Sequence, residues 1–108
     1  MKNSQLVVKK CNESSNTKLL LKGHLTSINA ISFKEELLEV IDSERSDCHL
    51  DISGIEALDL TGVNALAVAN RKIKSIGKKF VIISSASSPA EELLHLTKFV
   101  DVFTFKRA

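Results

Sequence analysis

Residues 58–77 read LDLTGVNALAVANRKIKSIG. Asp59, Thr61 and Gly62 stand immediately ahead of a pattern in which Val63, Leu66, Ala69 or Asn70, and Ile73 trace one face, the spacing of an amphipathic helix packed on a core. The alanines at 65, 67 and 69 permit close approach to a sheet, and Gly77 supplies a C-terminal stop. A helix is therefore expected from Gly62 to about Ile76. Strands are expected on both sides of it. DCHLDIS at 47–53 alternates Cys48, Leu50 and Ile52 with His49, Asp51 and Ser53, while GIEALDLTG is expected to be a loop with Ile55 and Leu58 packed beneath it. KKFVIISS at 78–85 is a continuous apolar run bounded by polar residues, the pattern of a central strand covered on both faces.

Further out, QLVVKKC at 5–11 and TKLLLKG at 17–23 flank the polar turn NESSN, which predicts an antiparallel hairpin. HLTSINAISFKEELLEVIDSERS changes period: Ile28, Ile31, Leu38 and Ile41 recur at helical spacing, Leu37 and Val40 widen the stripe, and Thr26 or Ser27 is the expected N-cap. SSPAEELLHLTKF at 87–99 has Ser88 as a cap, Pro89 at the first helical position and Glu91 and Glu92 in the first turn, all favouring a helix start. VDVFTFKR at 100–107 closes the chain as a short strand. The order predicts an α/β fold. It has a mixed sheet of about five strands, an N-terminal hairpin plus a parallel part, with three main helices packed mainly on one side. With 108 residues, 44% hydrophobic, a single domain over 1–108 is expected.

Composition removes several classes of function. The formal charge of +2 comes from 15 basic and 13 acidic residues spread along the chain, so no field suited to nucleic acid or a membrane surface is implied. The five aromatic residues are all Phe and are not interleaved with cations as a base-stacking platform requires. Cys11 and Cys48 fit a reduced intracellular protein, with Cys48 in the core. The N-terminus lacks the apolar stretch of a signal peptide, and no apolar run approaches membrane-spanning length. A cytoplasmic protein without membrane insertion is expected.

Sites for chemistry are also missing. His24, His49 and His95 fall in separate elements without ligand spacing, so no metal or cofactor is expected. SIGKKF lacks the first glycine and the Ser or Thr of a phosphate-binding loop, and no nucleophile elbow is present. DISG at 51–54 reads as a turn closing a strand. No enzymatic activity is expected. Thr61 remains, with two readings. Its hydroxyl can cap the helix, worth about 1 kcal/mol, or it can accept a phosphate, which a helix N-terminus tolerates through its free N–H groups and partial positive charge.

LKGHLT, LDISGIEALDLTGVNALAVANRKIKSIGKKFVII and LLHLTKFVDVF, in this order, resemble STAS domains, the family named for sulphate transporters and anti-sigma-factor antagonists. The resemblance runs from about Leu6 to Phe105. In the antagonist branch it implies that the hydroxyl residue before the glycine, Thr61, is phosphorylated by a partner anti-sigma factor, a serine-threonine kinase of the GHKL type, with Asp59 as the neighbouring acid. The unmodified domain binds that partner and frees the sigma factor, and the phosphate breaks the complex. Three positions depart from the branch: Leu60 replaces a small hydroxyl residue, Thr61 replaces Ser, and Thr26 stands where an Asp is common. The alternative implied by the resemblance is a cytoplasmic subunit of a bacterial ABC lipid-transport system. The partner surface is expected to centre on Asp59, Leu60, Thr61, Gly62, Val63 and Asn64, with Thr26 and Ser27 at its edge.

Overall fold

The computed structural model describes residues 5–13, 16–85, 93, 95 and 104–107. Strands β1 (Leu6–Glu13) and β2 (Asn16–Leu25) pair antiparallel, with Leu6 opposite Gly23 and Glu13 opposite Asn16. Then come α1 (Ser27–Glu44), β3 (Asp47–Leu58), α2 (Leu60–Ser75), β4 (Phe80–Ser84) and β5 (Thr104–Arg107). The sheet order is β1-β2-β3-β4-β5, parallel from β2 onward. When each parallel strand is placed beside its predecessor, right-handed crossovers deliver successive helices to the same face. Burial follows that rule. Leu19, Leu21 and Leu25 of β2, Leu50 and Ile52 of β3, and Phe80 and Ile82 of β4 form one core with the inner faces of α1 and α2. The mixed α/β sheet is thus as expected. The third helix expected from Ser88 lies outside the described residues except for Leu93 and His95, which are helical; Leu93 packs against the core and His95 is exposed. The expected last strand is described only over its second half.

Three boundaries and faces differ from expectation. β3 does not stop at Ser53 but runs to Leu58, because β2 itself continues past Gly23 and supplies ladder partners: Gly23 faces Ile55, His24 faces Ala57 and Leu25 faces Leu58. Two register shifts, between Leu20 and Lys22 and between Gly23 and His24 of β2, each leave one extra residue on β3 on either side of Gly54 and Ile55, so the glycine marks a bulge rather than a turn. Ile55 is nonetheless buried and Leu58 packs on the core, as expected. In α1 the buried face is Ala30, Phe33, Leu37 and Ile41. Ile28 and Ile31 are 74% and 47% exposed, since they lie off that stripe at 100° per residue. In α2, Val63, Leu66, Ala69, Asn70 and Ile73 are buried as the periodicity required, but the helix starts two residues earlier, at Leu60.

α2 ends in a Schellman motif. The Gly77 N–H donates to the Lys74 carbonyl at 3.0 Å and the Lys78 N–H to the Ile73 carbonyl at 3.1 Å, with Gly77 at φ +76°. A Cβ at Gly77 would meet no neighbouring atom within 4 Å. Gly77→Ala therefore isolates the backbone cost of the left-handed conformation, and a urea melt should show a loss of about 1 kcal/mol. Cys48 is 2% exposed, and burial pushes its thiol up to about 12, which keeps it protonated and unreactive at neutral pH. Among the described residues no helix is long and apolar enough to cross a membrane.

Candidate functional site

β2 and β3 end side by side, Leu25 opposite Leu58, and each leads within one residue into a helix. Two helix N-termini are thereby placed together, each with unpaired N–H groups and a partial positive charge. Neither first turn contains an acidic residue. One carboxylate serves both. Asp59, the N-cap residue of α2, accepts from the Gly62 N–H at 2.9 Å through Oδ1 and from the Ser27 N–H at 3.0 Å through Oδ2. Thr26 occupies the N-cap position of α1, but its side chain makes no capping bond. Ser27, at φ +48°, is held in the left-handed region where its N–H meets Asp59.

This arrangement corrects the capping reading of Thr61. The cap of α2 is Asp59, whose carboxylate reaches the amide three residues on, while Thr61 is the second residue of the helix and half-buried. Among the described residues its hydroxyl has no hydrogen-bond partner. The cap of α1 is likewise supplied by Asp59 from the neighbouring element, not by the Thr26 or Ser27 side chain.

The residues expected to form one surface divide into two kinds. Leu60 is 65% exposed, Ser27 and Asn64 are exposed, and Thr26, Asp59 and Thr61 are half-buried. Gly62 and Val63 are buried, which corrects their assignment to the contact surface: they position it. A Cβ on Gly62 would overlap the Leu25 carbonyl oxygen and the Leu58 side chain, so glycine is what allows the first turn of α2 to press on the ends of β2 and β3. Val63, 1% exposed, anchors that turn in the core. The sequence reading missed Ile28 and Ile31. With Leu60 they form exposed apolar groups on the first two turns of α1 and the first turn of α2, the helices that Asp59 joins.

Other candidates resolve into structure. Ser53 donates both its N–H and its hydroxyl to Asp51 Oδ1, at 2.9 and 2.6 Å, within β3. His24 Nε2 stands 3.8 Å from Glu56 Oε1. Among the described residues no group of His, Cys, Asp and Glu could hold a metal ion. The two cavities described below include none of residues 59–64 in their linings.

The family model for the STAS domain matches residues 8–108. The chain belongs to the STAS domain family. Comparison with curated proteins returns no match. Among solved structures, the STAS domain described here is similar to an anti-sigma factor antagonist from Mycobacterium paratuberculosis, with a TM-score of 0.84 at 15% identity over 96% of this chain and 87% of that one. It is also similar to a structure described as a putative anti-sigma factor antagonist from Thermotoga maritima, with a TM-score of 0.81 at 18% identity over 94% and 86%. For the anti-sigma factor antagonist SpoIIAA in its unphosphorylated form the TM-score is 0.72 at 12% identity, over 94% and 89%. At these identities the TM-scores show a shared fold.

Proposed function

We propose that this STAS domain is a non-enzymatic protein-interaction switch of the anti-sigma-factor-antagonist kind, acting in the bacterial cytoplasm. Its partner is an anti-sigma factor that is also a serine-threonine kinase of the GHKL type, and its state is set by phosphorylation at Thr61. The observation that carries this reading is the division of labour at the start of α2. Asp59 does the capping, which leaves the Thr61 hydroxyl without a structural task on a turn flanked by the exposed Leu60 and Asn64. The fold shared with anti-sigma factor antagonists supports the same reading.

A phosphate on Thr61 adds roughly 1.5 to 2 negative charges at pH 7. Thr61 lies in the first turn of α2, where the partial positive charge of the helix N-terminus accommodates a phosphate, so the fold persists while a partner carboxylate opposite Thr61 is repelled. Incubation with the candidate kinase and ATP, followed by mass spectrometry, should place the phosphate on Thr61. Thr61→Glu should weaken partner binding roughly tenfold or more with an unchanged melt, since no cap is lost. Thr61→Ala should bind and resist modification. Phosphate on another residue, or parental affinity in Thr61→Glu, would leave Thr61 an ordinary helix residue and bring forward the constitutive transporter-subunit reading.

A further inference from the structure

Among the described residues β1 has a sheet neighbour on one side only. In an antiparallel ladder, residues whose N–H and C=O point to the partner alternate with residues whose groups point away. The His24 N–H donates to the Gln5 carbonyl at 2.8 Å, and this sets the phase: Val7 and Lys9 turn their backbone groups toward β2, while Leu6, Val8 and Lys10 turn theirs outward. Among the described residues nothing pairs with that outer edge. Edge strands are commonly blunted by shortness, proline or charged side chains such as lysine, and of these β1 has only the charges, Lys9 and Lys10 among them. This one has 8 residues and no proline, and it carries Val7 and Val8, 55% and 37% exposed, on opposite faces.

Each valine lines its own groove. On the helix side Val8 sits with Leu19, Phe33, Leu37 and Val40 in a groove of about 230 Å³ that Lys10 and Glu36 also line. On the open face of the sheet Val7 sits with Leu20 and Gly54 in a groove of about 290 Å³ that Lys9, Lys22 and Asp51 also line. A strand added to the edge projects alternate side chains to the two faces, so one extended segment would reach both grooves. Their charge differs. On the helix side Lys10 is already paired with Glu44 at 2.7 Å. On the open face Lys9 lies opposite Leu20, with Lys18 and Lys22 two residues to either side of it. None of these three lysines forms an ion pair with a described residue, and Asp51 is engaged by Ser53.

We propose that the outer edge of β1 receives an extended segment of a partner protein in which apolar residues alternate with Asp or Glu. The apolar side chains enter the groove of Val8, Phe33 and Leu37, and the carboxylates lie over Lys9 and Lys22 while the backbone completes the ladder at Val8 and Lys10. A second copy of this chain fits less well, because it brings its own Lys9 and Lys10 to the edge and so offers the open-face lysines less counter-charge than an acidic segment does. The edge belongs to different elements from Thr61, so the inference stands whether or not Thr61 is modified.

The test titrates a fluorescein-labelled Val-Glu-Val-Glu-Val-Glu-Val peptide with the whole chain, followed by anisotropy and by amide exchange of the complex. Saturable binding that weakens with salt is expected, with new protection at the Val8 and Lys10 amides. Lys9→Glu should weaken binding roughly tenfold. Val8→Pro, which removes an outward N–H and no bond to β2, should abolish it with the melt retained; if that variant melts early, Lys9→Glu and the amide protection decide. Absence of saturable binding, equal binding of a peptide with Lys in place of Glu, or parental affinity in Lys9→Glu would overturn the proposal. A concentration-dependent dimer lost in Val8→Pro would overturn it too, by assigning the edge to a second copy.

Discussion

Truncating Leu66 to alanine should lower the unfolding free energy by about 2–5 kcal/mol. Leu66 is 0% exposed at the middle of the inner face of α2. The cost depends on how far the surroundings can collapse into the space left behind, and little there can move. Ala65 and Ala69, its buried neighbours along the helix, have no side chain to swing in. The helix itself is held at both ends, by Gly62 against Leu25 and Asp59 across to Ser27 at one, and by the Schellman bonds of Gly77 and Lys78 at the other. A result in the upper half of the range is expected. Against a typical total of roughly 5–15 kcal/mol, that is a large share. In urea the midpoint should fall with the slope unchanged; a parental midpoint would place Leu66 outside the core.

Asp59→Ala should cost about 2 kcal/mol, twice the usual value for one cap, because two helices lose an acceptor together. Asp59→Asn should fall between, since its side chain keeps one acceptor oxygen and turns a donor toward the other N–H. The distinguishing readout is remote in sequence. Amide exchange at Ser27, 32 residues from the substitution, should accelerate in Asp59→Ala. A loss near 1 kcal/mol with the Ser27 amide unaffected would mean that Asp59 caps only its own helix.

Much of this architecture was legible from periodicity. The α2 face of Val63, Leu66, Ala69 and Ile73 and the stop at Gly77 follow from local rules about helices, and one strong stripe leaves no competing solution. α1 was harder because it carries two apolar stripes. Ile28, Ile31 and Leu38 compete with Ala30, Phe33 and Leu37, and only packing against the sheet selects the second set, leaving Ile28 and Ile31 in solvent. The capping of both helices by Asp59 was illegible for a different reason. An aspartate two residues ahead of a threonine reads locally as either cap, and the bond to Ser27 exists only because β2 and β3 end in register. The start of α2 was therefore readable, while the burial of Gly62 and Val63 beside the exposed Leu60 and Asn64 was not.

The sheet's spatial order copies the order of the chain, and this bears on how the domain is assembled. A strand leaving the ribosome finds its partner already synthesised and never has to insert between two strands that have paired. The β1–β2 hairpin needs only local contacts, and each later strand joins an existing edge after one crossover, which keeps the loops to be closed short and favours rapid folding. Growth in one direction also means that the outer edge of β1 stays open throughout, while the second open edge, and the hazard of mispairing there, moves along the sheet from β2 to β5 as translation proceeds.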